Sequence, residues 1–196
     1  MSINTRKKLT FEEYLSYDDG TDNRYELVDG ELVELPPESE PNSAIVDYLF
    51  LKLVEMGTPF RLIKRHTCEI QVPVLQLGDA QNRFPDLVVL RHEHLALTRK
   101  RLTIKLDMPP PQLVVEVVSP GQTNRDRDYK SKREQYQRVG IPEYWIIDPE
   151  HQAVTVLKLE VSQYIEIGSF KGSDPIISEA FPQLMLTPAE IFAEAD

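Results

Sequence analysis

Apolar positions along the chain recur with two periods, and the switches between them mark out the elements. Thr10-Phe-Glu-Glu13 has capping-box spacing, in which a Thr and a Glu three residues on satisfy each other's backbone donors, and predicts a short helix to about Ser16. Alternation in residues 24–28 and 31–35 around Asp29-Gly30 predicts a hairpin with a two-residue turn. That register puts Glu26, Val28, Glu31, Val33 and Leu35 on one face, leaving Glu26 on a largely apolar surface. A Pro- and Glu-rich loop over 36–43 leads into a helix whose stripe is Ala44, Ile45, Tyr48, Leu49, Leu51, Lys52, Leu53 and Met56, ended by Gly57.

Strands are predicted over 61–65 and 68–74, and Phe84-Pro85-Asp86 opens the apolar run Leu87-Val-Val-Leu90. Residues 91–111 carry mixed charge, end in Pro109-Pro110-Pro111 and predict a loop with a helical turn. Residues 112–118 read as a central strand, broken by Ser119-Pro120-Gly121, and a helix follows over 125–139, closed by Gly140. Strands over 143–148, 153–159 and 163–167 come next, and Thr187-Pro188-Ala189-Glu190 is a second capping box that starts a terminal helix. The order predicts an α/β or α+β domain around one mixed sheet, with no internal repeat.

The run Leu113-Val114-Val115-Glu116-Val117-Val118 interrupts this picture. β-branched residues fit a strand covered on both faces, yet a carboxylate stands in its middle. Stripping water from that group costs several kcal/mol, so a metal ion, a basic residue or a cleft must offset the burial.

Composition narrows the choice. The 196 residues are 41% hydrophobic, enough to fill one core, and the formal net charge is −10. That balance argues against coating nucleic acid by bulk attraction and suits a site that gathers carboxylates around a cation. The single cysteine, Cys68, excludes an internal disulfide and reads as a small core residue. Residues 1–10 are polar and basic, with no apolar leader, and no stretch approaches the ~20 apolar residues of a membrane span, so a cytoplasmic location is expected.

Three acidic residues and one lysine stand out, each with a plainer alternative. Asp86 by itself reads as a turn residue, Glu116 as the partner of a buried Arg, Glu26 as a cross-strand partner of a basic residue, and Lys132 as a solvated helix lysine. Together they read differently. Asp86 and Glu116 mark two apolar strands expected side by side, and carboxylates about 4 Å apart repel by roughly 4 kcal/mol at an effective dielectric of 20. A divalent cation turns that repulsion into binding, and hard oxygen ligands suit Mg²⁺ or Mn²⁺. Zn²⁺ fits less well, since His66, His92, His94 and His151 form no Cys/His cluster and His92-x-His94 is a weak signal. Asp128, Lys132 and Tyr136 fall on one face of the 125–139 helix, and a lysine near a metal can offset charge at phosphorus or orient a water.

Asp86, Glu116 and Lys132 resemble the PD-(D/E)xK constellation of the restriction-endonuclease-like superfamily. The simple motif would put its lysine at Val118, which cannot serve, so the chain is similar to the subgroup whose lysine comes from the next helix. More narrowly, it resembles the Uma-type restriction endonucleases, domain of unknown function 820. The resemblance rests on Tyr25-Glu-Leu-Val-Asp-Gly-Glu-Leu32, Pro85-Asp86, Val115-Glu-Val-Val-Ser-Pro120, Asp128-x3-Lys132-x3-Tyr136 and Gly140-Ile-Pro-Glu-Tyr-Trp-Ile-Ile-Asp148. One departure is Asn42, where the family usually has a histidine; Asn hydrogen-bonds, and can cap a helix, but does not titrate near neutrality.

The resemblance implies a restriction-endonuclease-like fold: a central mixed β-sheet flanked by helices, with an N-terminal hairpin and a C-terminal strand extension. It implies one domain over 1–196, with a core of about 20–160 and an elaboration over about 161–196. It further implies a Mg²⁺- (or Mn²⁺-) dependent endonuclease acting on DNA. Asp86 and Glu116 would hold the metal, Glu26 would be a third acidic contributor and the Val117 carbonyl a further ligand. Lys132 would assist water attack, with Asp128 and Tyr136 orienting it. DNA contacts would fall to Arg125, Arg127, Lys130 and Arg133, and to Arg99-Lys100-Arg101 with Lys105, although interleaved acids make ordinary solvated charge the alternative. Double-strand cleavage would favour a homodimer. A non-catalytic DNA- or protein-binding relative, and an enzyme acting on a small phosphate ester, are the competing readings.

Overall fold

The computed structural model describes residues 8–193, so most of the basic opening segment lies outside the described residues. Helix α1 (Phe11–Leu15) starts on the Thr10 capping box, and the hairpin β1 (Tyr25–Val28) and β2 (Glu31–Glu34) follows. Helix α2 (Glu40–Glu55) is capped by Ser39, and a 3₁₀ turn (Phe60–Leu62) leads into β3 (Ile63–Arg65). Next come β4 (Glu69–Gln71), β5 (Asn82–Arg83), β6 (Leu87–Val89), α3 (His94–Leu97), β7 (Thr103–Ile104) and β8 (Leu113–Val117). Helix α4 (Gln122–Asp126) passes through a π-helical segment (Arg127–Lys132) into α5 (Arg133–Val139). Strands β9 (Glu143–Asp148), β10 (Ala153–Glu160), β11 (Gln163–Lys171) and helix α6 (Pro188–Phe192) complete the chain.

Six strands form the main sheet in the order β11-β10-β9-β8-β6-β3. Only β8 and β9 are parallel neighbours within it. The molecule is therefore mixed α/β, a central mixed sheet flanked by helices, as expected. Period-two alternation divides β8 between two cores. Leu113, Val115 and Val117 face α2 and α6, whereas Val114 and Val118 join the core under α5 with Tyr136 and Tyr144. Glu116 lies between those last two valines and so points toward α5.

Several expectations change. The 68–74 strand shortens to β4 and belongs to a separate three-stranded sheet, β5-β4-β7, which also draws a strand out of the predicted loop over 91–111. The hairpin pairing Glu26↔Val33 and Val28↔Glu31 confirms the shared face, but that face is the outer one. Leu27 takes the inner face with Phe11 and Tyr14. The helix expected from 125 begins three residues earlier, at Gln122, and its middle is π-helical, a wider turn often found at functional sites.

Three polar anchors hold this frame. Asn82 accepts from Leu27 N at 2.7 Å and donates to Tyr14, Tyr25 and Glu69, which ties the hairpin to the small sheet. Glu69 is saturated by Asn82, Arg101 and Thr103. His94, one of the histidines weighed as a metal ligand, accepts from Arg91 N and contacts the Pro109 carbonyl at 2.7 Å, so it organises its own loop.

Candidate active site

Antiparallel pairing of β6 with β8 sets Leu87 opposite Val115, and one further step of that register puts Asp86 across from Glu116. The two carboxylates read from sequence thus meet at one edge of the β6–β8 junction. Both are buried, at 6% and 1% exposure, and both line a groove of about 300 Å³. Glu26, Val117, Asn124, Arg127 and Lys132 line the same groove, as does Glu38 from the loop before α2.

The π-helical segment brings its cation in from above. Lys132 Nζ lies 2.7 Å from Glu116 Oε2 and 2.8 Å from Asp128 Oδ1. Tyr136, one turn on, donates to Glu116 Oε1 at 2.6 Å, while Asp86 Oδ2 accepts from Val117 N–H at 2.6 Å. The helical face predicted from spacing therefore does converge on the strand glutamate. Asp128 is 1% exposed; its Oδ1 is engaged by the Lys132 ammonium, and its Oδ2 has no hydrogen-bond partner.

Charge in this pocket is unbalanced. Asp86, Glu116 and Asp128 surround one buried lysine, with Arg127 Nε 3.6 Å from Asp128. Burial pushes the Glu116 carboxyl up to about 8 against the pull of Lys132, and Asp86 and Asp128 add to the rise. Burial pulls Lys132 down, but Glu116 and Asp128 overcome it, and its ammonium is held above the ordinary lysine value. Burial raises the Tyr136 hydroxyl well above its usual range, so it stays a donor. The site can therefore offer carboxylate oxygens, one fixed positive charge and an unfilled demand for more.

The other predicted residues divide. Glu26 reaches the groove wall but is ion-paired with Arg83 at 2.8 Å, and Arg83 is also held by Gln135. Arg125 is tied to the buried Asp148 and lies over the Tyr129 ring at 4.4 Å, so its charge is engaged within the chain. Lys130 is exposed and pairs with Asp126 at 3.0 Å. Arg127 lines the groove, with its Nε 3.6 Å from Asp128 Oδ1. Asn42 is not the cap of α2, a role Ser39 fills; it reaches Ser119 Oγ at 3.4 Å, just past the end of β8. Cys68 is fully buried and its thiol is pushed up to about 12, chiefly by burial, in keeping with a core residue.

Sequence reasoning set His66 aside with the other histidines and did not single out Glu38. His66 follows β3, whose pairing Arg65↔Leu87, extended one step, sets it opposite Asp86. Its Nδ1 lies 3.4 Å from Asp86 Oδ1. One ligand atom from each of Glu38, His66 and Asp86 lies within 4.8 Å of the others. Twenty residues separate His66 from Asp86, so only the β3–β6 register, and no local spacing, could have pointed to it.

A family model described as Uma2, putative restriction endonuclease, matches residues 11–189. No curated protein matches the chain. Among solved structures, the crystal structure of a putative nuclease belonging to DUF820 from Anabaena variabilis has a TM-score of 0.68 and 19% sequence identity. The match covers 95% of this chain and 99% of that one, and at such identity the likeness carries the fold. No helix among the described residues is long and apolar enough to cross a membrane.

Proposed function

The chain belongs to the Uma2 family of putative restriction endonucleases, and from that premise we propose that it is a metal-dependent endonuclease hydrolysing DNA phosphodiester bonds. The observation that carries the reading is the meeting of Asp86 and Glu116 at one strand junction under a single buried lysine. A buried pocket with more carboxylates than cations, and with Asp128 Oδ2 lacking a hydrogen bond, has the donor chemistry that a divalent ion satisfies.

In this reading Asp86 and Glu116 hold Mg²⁺ or Mn²⁺, with Glu26 and the Val117 carbonyl as further contributors. The ion would supply Lewis acidity at the scissile phosphate and a more acidic bound water. Lys132 acts as a fixed charge, since an ammonium held above its ordinary value makes a poor base; it offsets negative charge that develops at phosphorus. Asp128 holds Lys132 in place, and Tyr136 fixes the Glu116 carboxyl by donating to one oxygen. Arg127 is the arginine best placed for a phosphate, because it lines the groove and Arg125 and Lys130 do not. Cleavage of both strands by one site per chain would call for a homodimer.

One observation favours a second reading, a relative that binds DNA or protein without cutting. Both Glu116 oxygens already have protein donors, Lys132 and Tyr136. Plasmid incubation with Mg²⁺ or Mn²⁺ separates the two. The nuclease reading expects nicking or linearisation that EDTA abolishes and that Asp86→Ala, Glu116→Ala and Lys132→Ala each remove. Retention of DNA or a partner, insensitive to EDTA and to all three changes, would replace it with the binding module.

A further inference from the structure

His66 is held hard against Asp86 but does not hydrogen-bond with its side chain. Its backbone N–H donates to the Asp86 carbonyl at 2.9 Å, and Arg24 donates to its own carbonyl at 2.6 Å, so the backbone is pinned on both sides. Both ring nitrogens are shut off from water, and neither has a hydrogen-bond partner. Buried polar atoms almost always find one, and an imidazole has two places to do so. The nearest group, Asp86 Oδ1, stands 3.4 Å from Nδ1.

Glu38 closes the third side. It is an exposed residue of the loop before α2, and its carboxyl is raised by partial desolvation and then by Asp86, so the two acids feel each other's charge. Two donors of one ion, each about 2.1 Å from it, are separated by at most about 4.2 Å. The mutual limit of 4.8 Å among these three side chains therefore needs only a small inward movement. Asp86 can serve here because Val117 N–H occupies Oδ2 and leaves Oδ1 facing His66.

We propose that Glu38, His66 and Asp86 form a mixed nitrogen–oxygen ligand set, on the His66 side of Asp86, for a divalent transition metal such as Mn²⁺. Imidazole prefers transition metals, while carboxylates accept either hard or borderline ions, so the nitrogen donor shifts the preference from Mg²⁺ toward Mn²⁺. The inference rests on the nuclease reading only in sharing Asp86 as a ligand.

The test is pulsed electron paramagnetic resonance of Mn²⁺ bound to the full chain, which reads directly bonded nitrogen. The wild type should show ¹⁴N modulation that changes to the ¹⁵N pattern when histidine alone is ¹⁵N-labelled, a readout that needs no substitution. His66→Asn, chosen because Asn tolerates the residue's positive φ of 54°, should abolish the nitrogen signal and weaken Mn²⁺ about 10- to 100-fold. Glu38→Gln should weaken Mn²⁺ and keep the nitrogen signal. Mn²⁺ bound without nitrogen modulation, or a signal unchanged in folded His66→Asn, overturns the ligand set. If plasmid cleavage persists in that case, the nuclease reading survives alone. A nitrogen signal in a protein that never cleaves supports the ligand set and sinks the nuclease reading instead.

Discussion

Strands β8 and β9 run parallel at the centre of the sheet, and each buries a glutamate, one near either end of the pair. Register sets Glu143 beside Leu113 and Glu116 beside Ile146. Glu143 is 2% exposed and accepts from Trp145 Nε1 and Ser178 Oγ at 2.6 Å and from the Glu179 and Ala180 N–H groups at 3.0 Å. Four neutral donors fill its oxygens and fasten the C-terminal segment to the sheet. Glu116 is as deeply buried, yet its surroundings are Lys132, Tyr136 and two more carboxylates at the wall of a groove. Burial alone does not separate an acid that fastens the fold from a candidate ligand; the balance of its neighbours does.

Breaking the two ends should give opposite phenotypes. Glu116→Gln keeps the shape and removes the charge, so DNA cleavage should fall by about 10³-fold with Mg²⁺ present, while the protein stays folded. Glu143→Ala orphans four donors and should lower stability by about 3 kcal/mol in urea denaturation, with cleavage per folded molecule unchanged. Lys132→Met comes next. It should cut activity about 10²-fold and destabilise by about 3 kcal/mol, because it leaves Glu116 and Asp128 buried without their cation. That loss should shrink when Mg²⁺ or Mn²⁺ is added.

A smaller effect sharpens the contrast by pH. The folded Glu116 carboxyl, near 8, lies above its ordinary value of 4.5, so the folded protein keeps a proton that the unfolded chain has released. That contribution is complete below about 4.5 and is lost as pH rises through about 8. Metal-free stability should therefore decline across this window, Mg²⁺ stabilisation should grow across it, and Glu116→Gln should flatten both in denaturation series. The smallest change expected is at Lys130: its exposed pair with Asp126 should leave stability unaltered, and Lys130→Ala lowers the salt slope of DNA binding by about 1 only if it meets a phosphate.

What was legible in the sequence follows the same contrast. Glu116 announced itself because a lone carboxylate in a β-branched run violates the pattern of a two-sided strand. Lys132 followed from four-residue spacing to Asp128 and Tyr136, a local relation that survived even though the turn there is π-helical. Glu143 stood at the start of its strand, where an acid breaks no pattern, so its burial by Ser178 and its neighbours could not be read. His66 and the Arg125–Asp148 pair were hidden for a related reason: their partners lie 20 and 23 residues away and meet only through tertiary packing. The hairpin register was correct, but which face turned inward depended on α1 supplying Phe11 and Tyr14 to cover Leu27.

Calorimetric titration of Mg²⁺ and Mn²⁺ into the wild type, Asp86→Asn and Glu116→Gln tests the central claim most directly. Saturable binding to the wild type, lost or weakened at least tenfold in each variant, is the predicted result. A folded wild type that takes up neither ion, or variants that bind as tightly as the parent, would contradict it.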